Sequence, residues 1–409
     1  MDDSRFAEEF EQLLNVGIAL SRVHDLEKLL DTILLEARRL TQADAGTLYL
    51  VKGDRLIFRV SQCQTLSDRL GEARMRQMYQ SFELPVSRES IAGYSALTKK
   101  VLSIPDVRAI PPDFPYHYNP SWDQKADYAS HSMMVVPMLN REDQVVGVLQ
   151  LINALSEGRV IAFRQEHEKL ASSLASQAAV SIENAELTED LKQAHLDTIF
   201  RLGVAAEYRD KETANHIKRM SHYCALIARG LGWDDEAVEA ILWSSLMHDV
   251  GKLGIPDSIL QKPGRLTAEE RKIMEYHTTI GGSILKGSKA PVLLKSRIVA
   301  VTHHEKYDGT GYPRGLKGEK IPLEGRITLV ADVFDALSSK RVYKEAMTEP
   351  EVLRILEEGR GTHFDPDVLG VFLGRLEGVR EIKGRYTDRE EDFDKFRNLD
   401  DLEIEEECP

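Results

Sequence analysis

A chain of 409 residues, 42% hydrophobic and 29% charged, exceeds one ordinary domain and has the composition of a soluble protein with two. A net charge of −14 disfavours a nucleic-acid polymer as partner, and three scattered cysteines exclude a disulfide framework. No apolar run approaches the roughly 20 residues that span a bilayer, and the acidic opening MDDSRFAEEF is unlike a secretory signal, so no membrane is expected and the cytoplasm is the expected compartment.

The first pattern, Phe10 to Leu40, is helical, with Leu13, Leu14, Ile18, Leu29, Leu30, Ile33 and Leu34 suited to one packed face. Strand-like stretches follow at 46–51 and 55–60, turned at 52–54. A second hairpin is expected from 132–137 and 144–152, turned at 140–143. Helix, hairpin, a long middle and a second hairpin predict a small α/β sensor module. On Ser90-Ile-Ala-Gly-Tyr-Ser95 and Leu102-Ser-Ile-Pro-Asp106, residues 12–184 resemble a GAF domain, an antiparallel sheet with helices. The resemblance implies a small-molecule ligand of unknown identity. Some members bind cyclic nucleotides through an Asn-Lys…Phe-x-x-x-Asp-Glu pattern. Asn153, Phe163 and Glu168 keep it here, but Ala154 and His167 replace the Lys and the Asp, which argues against that ligand.

Residues 163–208 contain no proline and one glycine, Gly203, and their apolar residues Leu170, Leu174, Ala178, Ile182 and Ala185 recur at helical steps. One long helix is predicted, joining sensor to effector and suited to a homodimer.

Beyond it, histidines and acids alternate. Glu212 precedes Thr213, a suitable N-cap for a helix carrying His216. Ile241 to Met247 reads as an apolar helix ending in His248-Asp249, a pair costly to bury unless coordinated. Gly251 breaks that helix and frees Lys252 to turn toward the same pocket. His277 is expected on another helix, His303-His304 lead into a Gly- and Pro-rich turn, and Asp332 and Asp335 lie in an apolar helix. Mixed imidazole and carboxylate ligands favour zinc, iron, manganese or nickel, and ions so held activate water and clamp phosphate.

With Asp308-Gly-Thr-Gly-Tyr-Pro313 and Thr362-His-Phe-Asp-Pro366, residues 195–378 resemble the HD-GYP family of HD phosphohydrolases, an all-α domain. The resemblance implies hydrolysis of cyclic di-GMP to linear pGpG and possible further cleavage to GMP. It assigns His216, His248, Asp249 and Asp332 to one ion and Asp249, His277, His303 and His304 to another, with Glu212 able to add a third. The metal it implies is iron, with manganese the alternative. His248, Asp249 and Lys252 become the candidate catalytic residues, and Asp335, Arg341, Lys344, Gly311 and Tyr312 the substrate contacts. A non-catalytic receptor, or a phosphodiesterase for another cyclic dinucleotide, remains an alternative. The tail, 381–409, is strongly acidic: between Asp388 and Glu407 eleven acidic residues face three basic ones.

Overall fold

A computed structural model of the chain describes residues 16–20, 23, 25–78, 82–210, 213–340 and 346–388. Glu212, Arg341, Lys344 and the tail beyond residue 388 lie outside the described residues. Packing divides the chain into two compact units, Met1–Lys192 and Gln193–Pro409.

The first unit is built on an antiparallel sheet. Its strands are β1 (Ala43–Lys52), β2 (Arg55–Cys63), β3 (Glu83–Pro85), β4 (Leu102–Ile104), β5 (Met133–Leu139), β6 (Val145–Ser156) and β7 (Arg159–Ile161). They are ordered β3-β2-β1-β6-β5-β4, with β7 on β6. Strand alternation sends Leu48 and Leu50 to the opposite face from Ala45, Thr47 and Tyr49. The Leu48 face packs with Leu29, Leu30, Ile33 and Leu34 of helix α1 (Leu26–Thr41) and with Leu174, Ala178 and Ile182 of the long helix α2 (Gln165–Arg209). The other face packs Tyr49, Phe58, Ile91 and Val148 into a separate cluster.

The helix expected from Phe10 to Leu40 is corrected within the described residues. Residues 16–20 are helical, Val23 is not, and α1 starts only at Leu26. Asp25 is the reason: its backbone is extended and its carboxylate accepts the Lys28 amide at 2.9 Å, so an N-cap interrupts the apolar period.

The second unit is helical in every named element. Its core joins Met220, Tyr223 and Ile227 of α3 (Ala214–Gly230), Ile241 of α4 (Asp235–Ser244), Val330 and Phe334 of α7 (Leu323–Ser338) and Val368 and Phe372 of α8 (Pro366–Leu373). Between α4 and α7 come α5 (His277–Ile284) and α6 (Pro291–Thr302). No helix of the described residues is long and apolar enough to cross a membrane.

Candidate metal centre

The site is assembled from helix ends. Thr213 caps α3 by accepting the His216 amide, which places His216 in the first turn, 3% exposed. The apolar helix read as ending in His248-Asp249 stops earlier, at Ser244. Tight 3-10 turns, 245–247 and 250–254, follow on either side of the pair. Asp249 itself leaves helical geometry, with φ −104° and ψ 12°, and both side chains of the pair are buried. Gly251 does more than end a helix: a Cβ built there would stand 1.7 Å from the carbonyl oxygen of His277, so its bare backbone lets α5 approach. His277 opens α5, and His303-His304 follow α6.

Two groups of potential ligands result, Asp249 with His277, His303 and His304, and Glu207 with His216 and His248. Asp249 joins them. Its Oδ1 lies 3.1 Å from His277 Nε2 and 3.4 Å from His303 Nε2, while its Oδ2 lies 3.3 Å from His248 Nε2. Asp332 comes within 3.8 Å of His216 Nε2.

The imidazoles are oriented from behind. Nδ1 of His248 donates to the Ser245 carbonyl at 3.0 Å, that of His277 to Met274 at 2.8 Å, and that of His303 to Val299 at 3.1 Å. A carbonyl only accepts, so Nδ1 carries a proton in each ring and Nε2 is the atom turned to the centre, where it can serve as a ligand. His277 Nε2 and His303 Nε2 face each other at 3.4 Å. His248 Nε2 and Asp249 Oδ1 are buried without a hydrogen-bond partner. Facing ring nitrogens and orphaned polar atoms beside several carboxylates fit divalent cations, whose neighbouring ligands stand roughly 3–3.5 Å apart. Burial, then the neighbouring imidazoles, holds His304 well below the usual histidine range, and burial lowers His303; both are suited to be neutral ligands. Burial also pulls down on His248, but Asp249, Glu207 and Asp332 outweigh it and push it up to about 9, a measure of the demand here for positive charge.

Lys252 Nζ lies 2.7 Å from Asp249, 2.6 Å from Asp210 and 3.3 Å from Glu207. Burial works against its charge, yet these carboxylates hold its pKa well above the usual lysine value. Tyr312 packs on His304 with ring centroids 4.8 Å apart, and its amide donates to the His304 carbonyl. Burial raises its pKa, so its hydroxyl stays protonated. A Cβ at Gly311 would stand 2.2 Å from the Lys306 nitrogen, so only glycine lets this turn fold back on itself. Glu305, fully buried, braces the turn by accepting the Arg314 and Leu316 amides, each at 2.8 Å.

Asp335, expected as a substrate contact, is turned here to His216 and Arg219. It is 1% exposed, accepts His216 Nδ1 at 2.8 Å and takes a bidentate pair from Arg219 at 2.7 and 2.8 Å. Both oxygens are occupied, Oδ2 by His216 and Arg219 and Oδ1 by Arg219. Burial opposes its charge, but His216 and Arg219 lower it to about 2. A depressed carboxylate contributes stability present above its unfolded value and lost as pH falls through about 2, so this brace persists at any neutral pH. Asp335→Asn should weaken cation binding at the His216 group about 10–100-fold while sparing the His303 group, read by manganese titration at pH 7.

Sequence reasoning overlooked Glu207. It is 2% exposed in the last turn of α2, where Glu207-Tyr-Arg gives no periodic signal of burial.

The sensor unit holds a cavity of about 310 Å³, with Thr47, Ser61 and Gln150 side by side on its sheet floor and Tyr49, Phe82 and Trp122 among its walls. No Lys or Arg among the described residues lines it, so a phosphate there would meet no cationic side chain. Asn153 is instead structural, accepting the His131 amide and donating to Tyr128 and the Ala129 carbonyl.

The GAF domain family matches residues 25–182, and the HD domain family matches residues 203–368. The chain therefore joins a GAF domain to an HD domain. It is 41% identical over 230 residues to the cyclic di-GMP phosphodiesterase response regulator RpfG of Xanthomonas campestris, covering 56% of this chain and 60% of that protein. It is 45% identical over 197 residues to a cyclic di-GMP phosphodiesterase of Thermotoga maritima, covering 48% and 52%. With the 3′3′-cGAMP-specific phosphodiesterase 2 of Vibrio cholerae it shares 40% identity over 232 residues, covering 56% and 44%. The chain thus spans about half the length of these relatives.

Proposed function

We propose that this chain is a cation-dependent phosphodiesterase that opens cyclic di-GMP to linear pGpG and can cut further to GMP, under control of its GAF domain. The observation that carries this reading is the shared carboxylate: Asp249 turns one oxygen to His277 and His303 and the other to His248. His216, His248, Asp249 and Asp332 would hold one ion and Asp249, His277, His303 and His304 the second, with Glu212 available for a third. Iron is the proposed metal and manganese the alternative, both suited to mixed nitrogen and oxygen ligands. Cations in these positions would lower the pKa of water and neutralise charge on the phosphate.

The protein's own groups do the rest. Lys252 keeps its proton and sets a fixed ammonium beside Asp249, poised to attract a non-bridging phosphate oxygen. The Tyr312 hydroxyl, held as a donor, would meet the nucleotide, and Gly311 takes part by letting the turn that carries Tyr312 fold back on itself. Arg341 and Lys344 are proposed to bind guanine and phosphate, Arg341 through paired hydrogen bonds. Exposed Leu187 and Leu191, one turn apart on α2, support a homodimer.

A second reading, cleavage of 3′3′-cGAMP, is favoured by the comparable identity to the Vibrio cholerae relative. Protein purified without oxygen, assayed for bound metals and incubated separately with both dinucleotides, should yield pGpG from cyclic di-GMP. Metal-loaded protein that cuts neither would overturn the enzyme reading, and preference for cGAMP would replace the substrate.

A further inference from the structure

Glu207 is the buried acid that the ligand assignment above leaves without a role. Its Oε2 is 3.3 Å from Lys252 Nζ, but that ammonium already has Asp249 and Asp210 at 2.7 and 2.6 Å. Its Oε1 is turned instead toward His248 Nε2, 3.7 Å away, the nitrogen left without a hydrogen-bond partner. That separation is too long for a hydrogen bond and suits two ligands of one ion.

The carboxylate arrives on a particular element. Helix α2 is continuous from Gln165 to Arg209; Leu174, Ala178 and Ile182 of its first half lie in the sensor core, and its last turn carries Glu207. Two contacts fix that last stretch against the segment bearing His248 and Asp249. At Gly203 a Cβ would stand 2.7 Å from the Leu246 carbonyl oxygen, so the backbones meet there. Beyond Glu207, Arg209 donates to the carbonyls of Lys252, Leu253 and Ile255 and to Asp257. A side chain some 6 Å from the helix axis moves about 2 Å when the helix turns by about 20°. Metal–ligand distances tolerate only about 0.2 Å.

We propose that Glu207 is a ligand to the cation held by His216 and His248, and that the position of the connecting helix thereby sets the occupancy of this site. The proposal rests on the metal-centre reading and names how that centre is regulated. It makes the second ion, on His277, His303 and His304, independent of the helix.

The test uses the full-length chain and manganese alone. Wild-type protein should bind two ions per chain, with the paramagnetic signature of a coupled pair. Glu207→Gln should lose one of them at limiting manganese, and the coupled signal should give way to that of isolated ions. Glu207→Asp keeps the charge but shortens the reach, and should weaken that one site at least about 10-fold; it serves if the glutamine variant does not fold. Arg209→Ala leaves every ligand in place and removes the clamp, so it should weaken the same site about 5- to 20-fold. If the wild type binds two ions and the folded Glu207 variants bind both as tightly, Glu207 is no ligand. An Arg209 variant with unchanged affinities at both sites would overturn the coupling. A wild-type chain that takes up no ion would fell the metal-centre reading itself.

Discussion

Asp249→Asn should leave a folded protein that retains neither cation and whose turnover on cyclic di-GMP falls on the order of 10³-fold or more. The substitution conserves size and replaces one oxygen by an amide that only donates. Every other ligand serves a single group, whereas Asp249 faces His248 and Lys252 through one oxygen and His277 and His303 through the other. Its carboxylate is held well below the usual range despite burial, chiefly by the Lys252 ammonium, so it stands as an anion. Lys252 would keep Asp210 and Glu207 as partners, which prevents an uncompensated buried charge. Elemental analysis and a thermal melt on the same sample separate loss of metal from loss of fold. An asparagine variant that retained both ions and wild-type turnover would refute the bridging role.

Gly251→Ala should be nearly as damaging without touching a ligand. The added carbon would stand 1.7 Å from the His277 carbonyl oxygen and 2.5 Å from the Gly281 nitrogen. Both are main-chain atoms of α5, so relief requires the whole helix to retreat and His277 with it. Overpacking of this kind costs about 1–3 kcal/mol, and ligand misplacement adds loss of the second cation. Gly384→Ala is the control, since Gly384 lies in the helix Leu376–Arg385, a Cβ there meets nothing within 4 Å and alanine favours a helix. Urea melts and manganese binding on both variants check this: equal behaviour of the two would show that the close approach at Gly251 is not needed.

The sequence made His248-Asp249 legible because the pair closes an apolar stretch that has no other use for a charge, whereas His216 and His277 stood out only together with the other motifs. The same logic failed for Glu207, whose helix turn also contains Tyr208 and Arg209 and reads as solvent-facing. Asp335 took its expected substrate role from the family resemblance alone; three residues along a helix also returns it to the face of Asp332, where it meets His216. The residues proposed to read guanine, Arg341 and Lys344, lie outside the described residues, as does Glu212. In the sensor, alternating apolar strands foretold the hairpins. The break before Leu26 was hidden because Asp25 interrupts a period that its flanking residues continue.

The way the imidazoles are held carries a genetic consequence. His248, His277 and His303 are each tethered to a main-chain oxygen, which no codon change removes. His216 alone among them leans on a side chain, Asp335. Drift can therefore loosen His216 through a single base change at Asp335, which is not itself among the proposed ligands, whereas the other three rings keep their tether unless the main chain itself shifts. Descendants that have lost catalysis while keeping one tightly held ion are the expected relics of that asymmetry.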